Sequence, residues 1–384
     1  MALTLHGTVA DNTVVLSRRS ANPLIINGDM AVAQRGTSFT SQTGVAYHLD
    51  RFEVSGYTMG DGVYRVDQST DVPAGQGFVY SNKISCTTAD TSQDANNQFY
   101  FQTQLEGTAT SLLNYFVASP DTVSIAFWVR SNRTGTHSLA LKLSDNGSVE
   151  NNSATRVYNK LYTISSANTW EKIVCAIPLD SSTSETKVTG TGFAVAVQFW
   201  MGAGTNRDGA AAESWIDNGN STTASANEDM LASTSNDWYI TGLQMEVGDF
   251  DANSIAPFQH ESFGDSLMRC YRYFQSTVGS NMMLAIASGN NNLQCGSTGY
   301  KTALRATPTV VLYNGSEANK VRSSGGGNIA LSSPSINGSV HGLNNCSVNN
   351  TPFTGNDHFQ MCYTADAEIL KEISLVLLEK KIMQ

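Results

Sequence analysis

Charged side chains are scarce in this 384-residue sequence, at 15%, against roughly 25% in an ordinary globular protein. Solubility must then come from Ser, Thr, Asn, Gln and Gly, a composition suited to β-rich proteins that work outside cells. Lys and Arg number 23 against 33 Asp and Glu, a formal net charge of −10. A surface that neutralises phosphates needs clustered Lys and Arg. No such cluster is present, so nucleic acid is not an expected partner. Cysteine is also sparse: Cys86, Cys175, Cys270, Cys295, Cys346 and Cys362 stand at wide spacings, without a C-x-x-C pair or a zinc-type His–Cys cluster. They read as small hydrophobes, kept as thiols in a reducing cytoplasm.

Long apolar runs are missing, so no membrane insertion is expected. The first residues, Met1 to Gly7, lack a basic region and a continuous apolar core, which argues against a signal peptide. A protein of this kind that acts outside cells is expected to leave by lysis. Nucleophile elbows, phosphate loops and H-E-x-x-H are absent, and His260-Glu261 runs on to Ser262 and Phe263 with no second histidine in place. Glycoside hydrolysis needs two carboxylates across a sugar bond; none of the acidic residues is marked by a motif, and no β-helix repeat is visible. No catalytic residue, metal site or cofactor is expected, and the chain is not expected to be an enzyme.

What the sequence does have is alternation. Val123, Ile125, Phe127 and Val129 alternate with Thr122, Ser124, Ala126 and Trp128. Leu139, Leu141 and Leu143, then Phe193, Val195, Val197 and Phe199, then Tyr239, Thr241, Leu243, Met245 and Val247 repeat the pattern. A period of two buries one face of a strand and wets the other. Many such strands joined by Gly/Asn/Ser/Asp loops predict an all-β fold, an antiparallel β-sandwich (jelly roll) over residues 23–260. Residues 202–235 read as a long excursion between two strands, interrupted by Ser214-Trp215-Ile216. Leu267, Cys270, Tyr271 and Phe274 recur at helical spacing after a cap at Asp265, predicting one short helix. Short strands at Thr309–Tyr313, Phe359–Tyr363 and Ile373–Leu378 complete a smaller C-terminal β domain over 261–384. Residues 1–22 are too few for a core and read as an N-terminal docking arm.

Several strings resemble those of bacteriophage tail-fibre and virion appendage proteins that carry a carbohydrate-binding-module-like jelly roll. They are Asn22 to Met30 with Gln34-Arg35-Gly36-Thr37, then Tyr47-His48-Leu49-Asp50-Arg51-Phe52, Phe127 to Ser131 and Asn168 to Lys172. Tyr239 to Gly248, Ala256-Pro257-Phe258-Gln259-His260, Cys270 to Phe274 and Arg305 to Val310 continue the series in order. The resemblance implies a structural protein of the virion, a tail fibre or similar appendage that takes part in host-surface glycan recognition. The alternatives are a purely architectural head fibre or decoration protein and, further off, a glycan depolymerase. It also implies a homotrimer, joined through the N-terminal arm to another virion protein such as a tail adaptor, nozzle or capsid.

Sugars stack their C–H faces on aromatic rings beside amides and carboxylates. Trp215, near Asp217 and Asn218, is the first candidate platform, and Trp238 beside a polar loop the second. Trp128, Trp170 and Trp200 read as covering the outside of a sheet. Asp217 to Asn220 and Asn345 to Asn350 reproduce no calcium-ligand spacing. Arg51 and Glu246 are expected on neighbouring strands, able to bridge loops, and Pro257 is expected to end the last strand.

Overall fold

The computed structural model describes residues 23–148, 155–218, 223–224, 229–279, 283–287, 292–295, 298–323, 327–331, 335–347 and 358–369. The expected docking arm (1–22) and the expected strand Ile373–Leu378 lie outside them.

The sandwich opens with β1 (Ser38–Gln42), β2 (Val45–Tyr47), β3 (Phe52–Tyr57), β4 (Val63–Ser69), β5 (Ser81–Thr88), β6 (Gln98–Glu106) and β7 (Thr122–Ser131). It continues with β8 (Gly135–Ser144), β9 (Thr155–Ile164), β10 (Glu171–Pro178), β11 (Phe193–Ala203), β12 (Trp215–Asp217) and β13 (Asp237–Val247). One sheet runs β1-β4-β5-β13-β7-β10 and the other β12-β9-β8-β11-β6-β3-β2, with every strand pair antiparallel. From β3 onward the chain crosses repeatedly from sheet to sheet, which is jelly-roll connectivity. No helix among the described residues is long and apolar enough to cross a membrane.

Alternation builds the core as expected. Val123, Ile125, Phe127 and Val129 meet Leu139, Leu141, Leu143, Val195, Val197 and Phe199 between the sheets, all fully buried. Strands β6 and β11 are buried on both faces, however. Their outer residues Tyr100 and Trp200 pack with Ala140 and Val157, and Ala203 and Ile216 of the excursion close over them. These described residues of the excursion therefore cover the patch of the second sheet around Tyr100 and Trp200. At roughly 25 cal/mol per Å² of apolar surface removed from water, that layer adds several kcal/mol to the fold.

Beyond the sandwich lies helix α1 (Phe263–Cys270). Its cap is Ser262 and not Asp265. Ser262 has the extended backbone (φ −64°, ψ 148°) that a capping position needs, and its Oγ accepts from the Asp265 N–H. Asp265, three residues on, returns a carboxylate to the Ser262 hydroxyl at 2.6 Å, a reciprocal arrangement like a capping box. A third sheet follows, built from β14 (Phe274–Ser276), β15 (Met283–Ala287), β16 (Asn292–Cys295), β17 (Thr298–Gly299) and β18 (Thr309–Tyr313). The rest are β19 (Lys320–Ser323), β20 (Asn328–Ala330), β21 (Ser335–Ser339), β22 (Gly342–Ser347) and β23 (His358–Asp366). Strand β23 lies at its centre and pairs with β14, β15, β18 and β19. Leu293, Leu304, Leu312, Val321, Phe359 and Met361 form its own core.

The sandwich and the third sheet meet through buried charge. Arg51 does not stand on a strand beside Glu246, as the sequence led us to expect. It occupies a left-handed turn before β3 in the second sheet (φ 70°), whereas Glu246 is on β13 in the first. Arg51 bonds Glu368, just past β23, and its guanidinium lies 3.4 Å over the Tyr273 ring. Arg35 pairs with Asp366 at 2.9 Å and stacks 3.7 Å over Phe274. Gln34 holds the Asp50 carboxylate through backbone N–H (2.7 Å) and side chain (2.6 Å) while its amide also donates to the Phe274 carbonyl. Tyr47 donates to the Ile369 carbonyl at 3.0 Å, and Arg272 grips Glu106 at 2.8 and 3.1 Å. Three of the strings that carry the resemblance, Gln34 to Thr37, Tyr47 to Phe52 and Cys270 to Phe274, converge here.

Pro257 does not end the last strand: β13 stops at Val247, and Gly248 (φ 137°) turns the chain away well before Pro257. Cys86, Cys175, Cys270 and Cys362 are buried free thiols. Burial pushes Cys86 up to about 11 and Cys175 up to about 12, which keeps both as unreactive thiols.

Candidate functional site

Of the sequence candidates, Trp238 is placed otherwise than expected. It starts β13 on the inward face, is 0% exposed, and packs its ring 5.6 Å from Phe101 and 5.9 Å from Phe199 in the core. The strand begins at Asp237, and the register shift between Thr241 and Gln244 interrupts the expected alternation, so Trp238 and Ile240 share the inward face with Leu243 and Met245, where no sugar can reach the indole. Trp215 lies on edge strand β12, half-buried, with its Nε1 donating to the Pro178 carbonyl at 2.8 Å and its ring against Tyr158. Asp217 is exposed, at 81%, but held by Arg156 at 2.6 Å; Arg156 also grips Asp180 at 2.7 Å. Asn218 is buried and ties its backbone N–H to the Thr155 carbonyl. Trp215, Asp217 and Asn218 are thus neighbours, and their polar contacts serve to pin an edge strand.

The concave site lies elsewhere, on the outer face of the first sheet. A cleft of about 370 Å³ is lined by Trp128, Lys172, Gly242, Gln244, Phe258 and His260, among others. Its floor is the sheet: Trp128 on β7 faces Lys172 on β10 and Thr241 on β13 in register. One wall is the β4–β5 connection, which brings Gln76 and Phe78; the other is the segment after β13, which brings Pro257, Phe258 and His260. The walls meet in an aromatic triad. Phe78 lies 5.1 Å from Phe258 and 4.9 Å from His260, and Phe258 lies 5.0 Å from His260. His260 Nε2 is 3.1 Å from the Gln76 carbonyl, which joins the walls with a hydrogen bond.

Gly242 makes the cleft geometrically feasible. The β13–β7 register shifts between Thr241 and Gln244, a bulge, and Gly242 adopts φ 63° there. A Cβ at that position would come within 2.5 Å of Phe78 Cζ and 3.1 Å of Trp128 Cδ1. Glycine therefore lets two aromatic rings approach the sheet backbone. Gln244 follows directly, its amide donating to the Ala256 carbonyl at 2.9 Å.

A polar aromatic patch continues along the same face. Tyr239 receives Arg130 at 4.7 Å and Lys83 at 5.0 Å over its ring, with Trp170 6.1 Å away. Trp170 Nε1 donates to Asp71 at 2.9 Å, and Arg130 pairs with the same carboxylate at 3.3 Å.

Sequence reasoning had Trp128 as a cover for the outer sheet and did not connect it with Gln244, Phe258 and His260. The available signal was the family strings: Trp128, Gly242, Gln244, Phe258 and His260 all sit in them. Among the described residues, no group of three or more His, Cys, Asp or Glu is placed to hold a metal ion.

No family model matches this sequence, and no curated protein matches it. Among solved structures, the chain is similar to the enzymatically active domain of tailspike protein 4 of bacteriophage CBA120, at 13% identity and TM-score 0.29, over 59% of this chain and 21% of that one. It is similar to the family 11 carbohydrate-binding module of Clostridium thermocellum in complex with a β-1,3-1,4-mixed-linked tetrasaccharide, at 9% identity and TM-score 0.28, over 56% of this chain and 98% of that one. It is also similar to the tandem family 22 modules of Paenibacillus barcinonensis Xyn10C, at 11% identity and TM-score 0.28, over 91% and 99% of the two chains. The chain spans about a fifth of the tailspike domain. Superposition scores this low carry no argument, so the fold assignment rests on the strands and pairings of this chain itself.

Proposed function

We propose that this protein is a glycan-binding appendage of a bacteriophage particle, and that the cleft under Trp128 is where the sugar docks. The observation that carries the binding reading is the cleft itself. It combines a half-buried indole, a flanking aromatic triad and the amides of Gln76 and Gln244 in one concavity of sugar size. Binding without cleavage fits the lining, which holds no carboxylate to serve as acid, base or nucleophile. The virion assignment is supported by the ordered strings from Asn22 to Val310, and the same resemblance supports a homotrimer attached through residues 1–22.

The test is direct. The full chain is titrated calorimetrically with a panel of bacterial surface polysaccharides, beside Trp128→Ala. Trp128→Ala is expected to weaken binding roughly tenfold, the upper range for loss of one aromatic stacking contact. Wild-type affinity in that variant would refute the site. Recombinant protein is expected to block adsorption of the parent phage; failure to block, with the protein present in purified particles, would leave the architectural reading.

A further inference from the structure

Acids outnumber bases 33 to 23 in this chain, yet no carboxylate lines the cleft. Its cation is Lys172, half-buried on β10 directly opposite Trp128 in the antiparallel register. Three other cations stand outward on the same sheet, and each is closed by a carboxylate. Arg65 pairs with Asp67 at 2.7 Å, Lys83 with Asp237 at 3.6 Å and Arg130 with Asp71 at 3.3 Å. Lys172 differs: among the described residues no carboxylate forms an ion pair with it, and its sequence neighbour Glu171 is taken up by the backbone N–H groups of Ser165 and Ser166. On a sheet whose other strand cations each have a counter-ion, the one without a carboxylate partner among the described residues is the one that stands opposite Trp128 in register and lines the cleft with it.

The other polar groups of the cleft are neutral or already engaged. Gln244 spends an amide hydrogen on Ala256, and His260 Nε2 is held at the Gln76 carbonyl. A sugar lying flat on Trp128 carries its C5 substituent at the edge of the ring, next to the position the register gives Lys172. A hydroxymethyl group there would leave the ammonium without a charge partner. A carboxylate there would complete a charge-assisted hydrogen bond, in a pocket walled by aromatic rings that hold back water and strengthen the pair.

From this contrast we infer that the ligand is an acidic glycan, one that presents a uronic-acid carboxylate to Lys172 while its ring stacks on Trp128. The inference rests on the reading of the cleft as a glycan site. It commits to a sugar carboxylate as the anion.

The experiment uses matched pairs on the full-length protein. Oligogalacturonate, oligoglucuronate and oligomannuronate are each compared with the carboxyl-reduced oligomer, which keeps the same stereochemistry without charge. A glycerol-phosphate polymer is included as a non-sugar anion. At least one uronate is expected to bind several-fold tighter than its reduced partner. Lys172→Gln is expected to weaken that uronate about fivefold, the size of a half-exposed charge pair, and to leave the reduced partner within about twofold. Raising the salt should erode the uronate's advantage alone. Binding in which no uronate exceeds its reduced form, or a Lys172→Gln variant with unchanged affinity for the preferred uronate, would overturn the acidic-ligand inference and leave the glycan site standing. Tight binding of the glycerol-phosphate polymer that is lost in Lys172→Gln would overturn the sugar carboxylate. Trp128→Ala separates the two levels: if it binds every probe as the wild type does, or if no pair binds at all, the glycan-site reading falls and takes this inference with it.

Discussion

Replacing Glu368 with Gln should loosen the third sheet from the sandwich, and the size of the effect follows from a count of buried charges. The Glu368 side chain is 0% exposed and that of Arg51 2%. Arg35 and Arg51 share the junction with Asp50, Asp366 and Glu368. Burial, with Asp366 and Asp50 nearby, outweighs the pull of the two guanidiniums and leaves the Glu368 carboxyl above its usual range. For Arg51, burial is the largest single influence and acts against the charge, but Glu368, Tyr273, Tyr47 and Cys270 together outweigh it, and the guanidinium is held more firmly protonated than usual. Breaking a buried pair by removing one partner costs about 3–5 kcal/mol, because the other charge stays buried and unanswered. Glu368→Gln leaves two cations against two carboxylates and belongs near the lower end. Arg51→Met leaves one cation against three carboxylates and belongs near the upper end. All five tryptophans, Trp128, Trp170, Trp200, Trp215 and Trp238, are in the sandwich, so their fluorescence follows the sandwich alone while far-ultraviolet dichroism follows both parts. In urea the two signals are expected to change together in the wild type and to separate in Glu368→Gln, with dichroism leading. The double variant Arg51→Met/Glu368→Leu should lose less than Arg51→Met, since an apolar pair can replace a buried ion pair at little cost. A shift below about 1 kcal/mol in Glu368→Gln, or strict additivity in the double variant, would refute the account of the junction.

His48 gives a pH test. Burial, aided by Arg35, lowers it from 6.5 to about 4. A depressed histidine adds stability above its unfolded value and loses it as pH falls, so urea stability should drop by about 2 kcal/mol between pH 7.5 and 5, a drop largely absent in His48→Gln. Gly242→Ala is expected to cost about 1–3 kcal/mol through its left-handed backbone and the Phe78 contact, and to weaken sugar binding; a stable, fully binding variant would contradict the bulge argument. Trp238→Ala should cost about 3–5 kcal/mol while Trp128→Ala costs under about 1 kcal/mol, and equal melting temperatures for the two would contradict their placement inside and outside the core.

Strand alternation made the sandwich legible. Runs such as Val123 to Val129 and Leu139 to Leu143 each bury one face between two sheets, and a period of two reports that directly. The third sheet was only partly legible, because strands such as Lys320–Ser323 and Asn328–Ala330 are too short and polar to show a period. The cleft was illegible for a different reason: Trp128, Gly242 and Phe258 are brought together by β-sheet register and by two connections that fold over the face, and pairing is not written in local sequence. Trp238 misled because the bulge between Thr241 and Gln244 breaks the period of two, so the face that holds Leu243 and Met245 holds Trp238 and not Tyr239. Arg51 misled because its partner, Glu368, lies more than three hundred residues away.

Two stretches of the described residues each join the third sheet to the sandwich through several bonds. The segment from Ser254 through α1 to Phe274 is one, and the stretch from Asp366 to Ile369 is the other. A body tethered at a single point can swivel, whereas two tethers remove rotation about every axis except the line between them. Arg305, which donates to the Thr191 carbonyl, is a further attachment outside both stretches and resists turning about that line as well. Torque applied to the third sheet would pass into the sandwich without play, and the orientation of the Trp128 cleft would follow the motion of the whole.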